Sequence, residues 1–351
     1  MKKPDRIFYL KFLIAVLFLG SVLNANGQTN CSQVLVDAQN LFEDGKINEI
    51  PMFIESCMVT GFTKDEKIEA YKLLSMVYTF LDEDENADQS VLNLLKLDKE
   101  YTINPELDPA EFIEVFNTFR THPILRVGLK AGTNTNIFRV FETYEVHNGA
   151  DAGTYTTLNG MQFGLAVEVP IKDKFDIVPE AYYMTRSYNF EGQYIFSGDD
   201  VIRTTRFTEQ QVWLLAPVHF RYKYLEWQII PYGDIGFTFG YLLSSELSSI
   251  ETSPGDIETP TLDWYESREK LNYFVSAGLG AKYKIPMGYL FVEARYGFQV
   301  NRMSVLNTEP TPQENILLWN NMTRNNAFSM DFISIQVGYM FNIYSPKKLE
   351  Q

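Results

Sequence analysis

Before Pro123 the apolar residues recur every three or four positions, and beyond it they alternate with polar ones. Residues 212–224, VWLLAPVHFRYKY, show the second pattern: Val218, Phe220, Tyr222 and Tyr224 fall on one side of an extended chain, and His219, Arg221 and Lys223 on the other. Period-two segments predict strands at about 124–140, 158–171, 175–188, 208–224, 227–245, 271–285, 289–306 and 328–344. Such lengths suit tilted strands that cross a bilayer, which need about 9 to 11 residues, better than soluble strands, which average about 5 or 6.

The connections between these segments are alternately long and short. Long ones are read at 141–157, 189–207, 246–270 and 307–327, and turns at 172–174, 225–226 and 286–288. This rhythm predicts an eight-stranded antiparallel transmembrane β-barrel with its turns in the periplasm and its loops outside. An even strand number also puts both barrel ends on the periplasmic side. Lipid-facing positions then include Leu129, Phe163, Val218, Phe220, Ile235, Phe237, Leu279, Val292, Ile335 and Phe341. Tyr224, Trp227, Tyr283 and Tyr344 lie near strand ends, where an interfacial girdle belongs. The opposite face carries Arg126, Lys130, Glu168, Glu180, Arg186, His219, Arg221, Lys223, Asp234, Lys282, Glu293, Arg295 and Asp331. An eight-strand interior is just wide enough to be filled by side chains, and buried charges persist only when paired. These residues are therefore expected to form a structural charge network in the lumen, with His219, Arg221 and Lys223 meeting Glu168, Glu180, Glu293 or Asp331.

Candidate chemistry changes this picture little. The chain has three His. His219 is read as a lumen hydrogen-bond partner among cations, with no Ser visibly placed to form a nucleophilic pair. His147 with Glu145 and Asp151 offers too few ligands for a metal site, and His122 lies in the hinge. Gly278-Leu279-Gly280 falls in mid-strand and reads as close packing, and the Asn321-Met322-Thr323 triplet as a chance glycosylation signal. No catalytic residue, metal or cofactor is expected.

The helical part runs from Cys31 to about Arg120. Ala70, Tyr71, Leu74, Val77, Tyr78 and Leu81 share one helical stripe, and Val91, Leu94 and Leu95 another. A last helix is expected at Asp108-Pro109-Ala110-Glu111, with Asp108 as N-cap, Pro109 as first helical residue and Glu111 as capping-box acid, continuing through Phe119. Residues 28–122 hold 19 acidic and 7 basic side chains of a chain whose formal net charge is −15. That balance argues against a nucleic-acid partner. It fits either a solvated helical surface, or one suited to a basic partner, or one that stays off anionic lipid.

At the N-terminus Lys2, Lys3, Arg6 and Lys11 precede the apolar run Phe12 to Leu23, and Ala25-Asn26-Gly27 follows. This predicts a signal peptide over 1–27, cleaved near Gly27, and an exported chain. Aromatic residues make up 15% of the sequence, with 26 Phe and 21 Tyr, which suits strands that meet both apolar and wet surroundings. The expected order is signal peptide 1–27, periplasmic α-helical domain 28–122, outer-membrane barrel 123–345 and periplasmic tail 346–351. The fold class is α+β, mainly β.

Two family resemblances add to this. Tyr71, Leu74, Ser75, Tyr78, Ala87, Val91 and Leu94 fall where a tetratricopeptide repeat keeps its packing residues, and Ala38, Leu41, Gly45, Ile50 and Ile54 fit a preceding repeat. Residues 28–122 thus resemble a TPR-like helical module, with an unrelated small helical bundle as the alternative. In the repeat register Cys31 opens one helix and Cys57 closes the next, which implies a disulfide in an oxidising compartment; packed thiols are the other reading. The strand region resembles the PorT-like outer-membrane β-barrel family at Val127-Gly128-Leu129-Lys130-Ala131-Gly132, Ala216-Pro217-Val218, Ile230-Pro231-Tyr232-Gly233-Asp234-Ile235-Gly236 and Val337-Gly338-Tyr339-Met340-Phe341. Together they imply a non-enzymatic outer-membrane barrel anchoring a periplasmic helical protein-interaction domain, in envelope assembly or protein export. Its partners would be outer-membrane lipid and a periplasmic protein bound through residues 28–122. The alternative is a surface protein that binds a ligand or confers adhesion through its outer loops.

Overall fold

The computed structural model describes residues 28–143, 153–195, 201–224, 227–254, 257–305, 310–321, 323–324 and 326–349. The expected signal peptide, the 225–226 turn and the loop residues Glu145, His147 and Asp151 lie outside the described residues. Contacts divide the chain into two units: residues 123–343, and residues 1–122 together with 344–351.

The helical unit contains α1 (Gln28–Glu43), α2 (Ile50–Val59), α3 (Lys64–Phe80), α4 (Asp84–Leu97) and α5 (Ala110–Phe116). Their apolar stripes meet in a core that includes Ala38, Ile50, Ile54, Val77, Val91, Leu94, Leu95 and Phe112, all fully buried. A capping box starts α3: the Thr63 hydroxyl accepts from Glu66 N, and the Glu66 carboxylate accepts from Thr63 N at 2.8 Å. A disulfide joins Cys31 near the start of α1 to Cys57 near the end of α2. Gly61 packs against it so closely that a Cβ there would lie 2.4 Å from Cys31 Sγ. The cross-link spans 26 residues, so the double substitution Cys31→Ser and Cys57→Ser is expected to lower the unit's unfolding free energy by about 3 kcal/mol. Chemical denaturation of the two proteins measures this, and equal midpoints would show that the bond adds nothing.

Asp108 does not cap the last helix. That role falls to Pro109, α5 ends at Phe116, and no side chain caps it. The Asp108 carboxylate instead pairs with Lys72 at 2.7 Å and accepts from the Tyr101 hydroxyl at 3.0 Å and from Asn104 N at 2.8 Å. A carboxylate this buried needs such partners more than an exposed helix end needs a cap. Burial pushes its pKa up, but the hydrogen bonds from Lys72, Asn104 and Tyr101 outweigh that and hold it below the ordinary value. A depressed folded pKa gives stability that is present above the unfolded value and lost on acidification, so this contribution should fade as pH falls below about 4. Asp108→Asn is expected to cost about 1.5 to 3 kcal/mol near neutrality and to flatten the acid dependence. Denaturation midpoints from pH 7 to pH 3 check it; parallel curves for the two proteins would disprove the role.

The C-terminal tail returns along this unit. Phe119 and Lys348 form an antiparallel bridge, Arg120 N donates to Lys347 O at 2.9 Å, and the Arg120 guanidinium donates to Ser345 O at 2.6 Å. Lys348 pairs with Asp88 at 2.6 Å. Tyr344 belongs here too, its hydroxyl donating to Glu100 at 3.1 Å.

The strand unit is built from β1 (Leu125–Glu142), β2 (Gly160–Lys172), β3 (Phe175–Ile195), β4 (Ile202–Lys223), β5 (Ile229–Ser253), β6 (Leu271–Ile285), β7 (Gly288–Gln299) and β8 (Ala327–Ile343). Each pairs antiparallel with the next, and β8 pairs back onto β1, giving a ring of eight strands. Burial alternates residue by residue along β4 from Glu209 to Lys223, which is the physical counterpart of the period-two sequence.

Three of the long connections differ from expectation. Within the stretch read as a long loop at 189–207, the described residues continue the hairpin: β3 and β4 stay paired from Tyr188↔Glu209 to Ile195↔Ile202, and Phe190 stacks on Phe207 at 4.8 Å. β5 likewise continues to Ser253 and is joined by short strands at 257–259 and 262–263. β7 stops at Gln299, earlier than 306, and Gln299 N donates to the Asp331 carboxylate at 2.8 Å. The connection after it contains a helix, α6 (Pro312–Asn321).

Candidate functional site

The inner face of the strand ring has two zones. Near the short-turn end, Arg126, Lys130, Arg221, Lys223, Lys282 and Arg295 meet Glu168, Asp176, Glu180, Asp234 and Glu293, and none of these side chains is more than slightly exposed. Every cation has a carboxylate. Lys130 reaches Glu180 at 2.7 Å and Glu293 at 2.6 Å; Arg295 reaches Glu180 at 2.8 Å, Glu293 at 3.1 Å and Asp234 at 3.3 Å. Arg221 contacts Asp234 at 2.9 Å and both Glu168 and Glu293 at 3.1 Å. Arg126 holds Glu168 at 2.5 Å, Lys282 pairs with Glu168 and Asp176, and Lys223 with Asp176 at 3.2 Å. Tyr232 lies 4.0 Å under the Arg221 guanidinium and donates to Glu293 at 2.8 Å. In a low-dielectric interior such sharing is what keeps each ion from being an uncompensated charge. The neighbouring glycines make room: a Cβ at Gly278 would lie 2.7 Å from Asp234 Oδ1, and one at Gly280 2.5 Å from the Tyr232 ring.

Toward the other end the interior turns apolar. Tyr188, Trp213, Leu242, Phe274, Phe328 and Phe332 pack there, with Trp264 and Leu317 brought in from the connections. Arg186 donates to Asn136 Oδ1 at 2.8 Å and to Asp331 O at 3.0 Å. Arg268, from the β5–β6 connection, is inserted against Glu209 at 2.8 and 2.5 Å, and Ser245 and Gln211 complete the coordination of that carboxylate. A space of about 10 Å³ among Gln162, Tyr182, Thr238, Arg295 and Gln336 remains between the zones, room for about one water.

Two residues sit differently from their sequence assignment. Asp331 pairs with Ile137 and shares the outward face with Ile333, so it is not in the lumen network. It is nonetheless buried, because Arg139 donates to it twice at 2.9 Å, Tyr296 donates at 2.7 Å, and Phe298 lies 4.0 Å from that guanidinium. The second correction concerns His219, which does have a serine partner: His219 Nε2 and Ser276 Oγ share a hydrogen bond of 2.8 Å, and Glu180 lies 3.7 Å from Nδ1. Gly236 pairs with His219 on one side and Ser276 on the other, and its missing side chain lets them meet. Hydroxyl, imidazole and carboxylate stand in the order of a hydrolytic triad. His219 and Ser276 are each 1% exposed, however, and no substrate reaches them in this structure.

Sequence reasoning did not single out Asp176, Glu209 or Arg268. Asp176 and Glu209 share the parity of Glu180 and Arg221 on their strands and could have been found by it. Arg268 lies in a connection, where no periodicity marks it. Among the described residues no group of three or more His, Cys, Asp or Glu is placed to hold a metal ion.

The outer face is apolar. Leu129, Ile235, Phe237 and Leu279 are among the most exposed residues of the strand unit, and a shallow crevice of about 720 Å³ runs over Gly233, Ala277 and Ala294 between Phe220, Leu279 and Tyr296. An apolar belt outside and paired ions inside a ring of eight long antiparallel strands define a membrane-spanning β-barrel. Residues 123–305 match the outer membrane protein beta-barrel domain, and the chain belongs to that family. The N-terminal β-barrel domain of Pseudomonas aeruginosa OprF is similar at 11% identity over 62% of this chain and 98% of its own, with a TM-score of 0.26. The Ail attachment invasion locus protein of Yersinia pestis is similar at 12% identity over 62% and 99%, with a TM-score of 0.26. The outer membrane protein AlkL is similar at 11% over 64% and 93%, with a TM-score of 0.30. No curated protein matches the chain.

Proposed function

We propose that this protein is a non-enzymatic outer-membrane barrel that anchors a periplasmic helical protein-interaction unit, acting in envelope assembly or protein export. The observation that carries this is the filled interior of the strand ring, ions in one zone and aromatic side chains in the other. With the interior occupied, the helical unit and the outer connections are left as the surfaces on which another molecule can be met. The disulfide-joined pair α1–α2 and the pair α3–α4 support a TPR-like module, which presents binding surfaces of this kind. A PorT-like affiliation would fit the same role.

Photo-crosslinking residues placed in the full chain in cells test the proposal. Exposed positions Val36 and Glu106 represent the helical unit, and Trp319 on α6 represents the outer connections. Adducts to an envelope protein are expected from positions 36 or 106, and silence at both would overturn the proposal. Adducts from position 319 alone would favour a surface protein that binds a ligand or confers adhesion, for which the 71% exposure of Trp319 is the supporting observation.

A further inference from the structure

The helix α2 is apolar on two sides. It buries Ile50, Ile54 and Cys57 against the rest of the helical unit. On its other side Met52 is 81% exposed, Val59 71% and Phe53 40%. Residues 52, 56 and 59 are three and four apart, so Met52 and Val59 lie in one stripe with Ser56 between them. Single exposed apolar residues are ordinary, but a contiguous group rimmed by polar residues marks an interaction surface. Here the rim is acidic: Glu49 and Glu55 stand three residues to either side of Met52, both exposed, and exposed Glu43 ends helix α1. The nearby Lys46 is engaged with Asp44 at 3.4 Å.

We propose that this face of α2 is the docking surface of the helical unit, and that its occupant is a cationic amphipathic helix of a partner protein. The apolar stripe of such a helix would lie on Met52, Phe53 and Val59, and flanking Lys or Arg would face Glu49 and Glu55. The inference rests on the helical unit being a protein-interaction unit. Charge complementarity selects this occupant. A second copy of the chain would bring the same acidic rim against itself, and an anionic lipid surface would be repelled.

Binding is measured on the full chain in nanodiscs of zwitterionic lipid, with empty nanodiscs as baseline. The probe is a fluorescent 18-residue Leu/Lys peptide patterned at the helical period. Met52→Gln with Val59→Gln is expected to weaken binding at least tenfold, and Glu49→Gln with Glu55→Gln to weaken it and remove most of its salt dependence. A scrambled Leu/Lys peptide and a Leu/Glu peptide are expected to bind at least tenfold more weakly. All four substituted side chains are exposed, and circular dichroism verifies that the variants fold. Undiminished binding by the Met52→Gln, Val59→Gln protein, or equal binding of the scrambled peptide, overturns the α2 surface. Crosslinks from Val36 or Glu106 would in that case still support the interaction role, so the two failures are distinguishable.

Discussion

Replacing Glu168 with alanine is expected to lower the unfolding free energy of the strand unit by about 3 to 5 kcal/mol. Its fully buried carboxylate is shared by Arg126, Arg221 and Lys282. Without it, Arg126 keeps the Asn342 side chain at 3.1 Å, the Tyr289 ring at 5.1 Å and a distant Asp176 at 3.9 Å, and Lys282 keeps Asp176 at 3.5 Å. The zone already holds six cations against five carboxylates, so the loss deepens an existing imbalance where water cannot offset it. Arg221 is protected by Asp234 and Glu293 and should contribute least to the penalty. Denaturant titration, read by the shift between folded and unfolded bands on gels, measures the effect. The double substitution Glu168→Ala with Lys282→Met discriminates the cause. If the penalty comes from an unpaired cation, removing that cation should recover about 1 to 3 kcal/mol. If it comes from lost packing volume, the second substitution should add to the damage. A single-substitution loss no larger than that of an ordinary surface change, about 0.5 kcal/mol, would mean that the network is dispensable.

How much of this was legible in the sequence depends on which side of a strand faces what. Along β4, Val218, Phe220 and Tyr222 face outward, and His219, Arg221 and Lys223 face inward, so apolar and charged residues label the two faces directly. The 189–207 stretch gave no such label. Beyond the apolar belt its outward positions, Asn189, Glu191 and Gln193, are polar like any loop, although Tyr188, Phe190 and Tyr194 keep the inward alternation. At Asp331 charge and parity conflict: the charge suggests the lumen, and the parity places the residue outside. It shares the face of Ile333, and only partners on other strands, Arg139, Tyr296 and Gln299 N, explain how a carboxylate survives there. The His219–Ser276 contact needed the register of three strands, since it forms across Gly236 between residues 57 apart in sequence. Asp108 illustrates a local signal overruled: the capping motif is present, but Lys72, distant in sequence, together with the nearby Tyr101, offers a buried carboxylate stronger partners.

Phe237→Arg is expected to cost about 2 to 4 kcal/mol, whereas Trp227→Arg, at the start of the same segment, should cost about 0 to 1 kcal/mol. Both side chains are largely exposed, at 65% and 71%, so neither substitution opens a cavity and packing loss cannot separate them. Depth can. Phe237 pairs with Val218 on one side and Val275 on the other, with outward Ile229 and Ile235 toward one end of the belt and Phe239, Tyr241 and Leu243 toward the other. It therefore sits near the middle of the apolar layer, where a guanidinium has no water within reach. Trp227 sits at the margin, where the long arginine side chain extends into the headgroup region. In a water-facing sheet the two penalties would be alike and small, since exposed positions tolerate charge. Unfolding free energies of the two variants in lipid vesicles thus read the environment of the outer face directly. A depth-dependent difference requires hydrocarbon around Phe237, and equal penalties would require abandoning the apolar belt as a lipid contact.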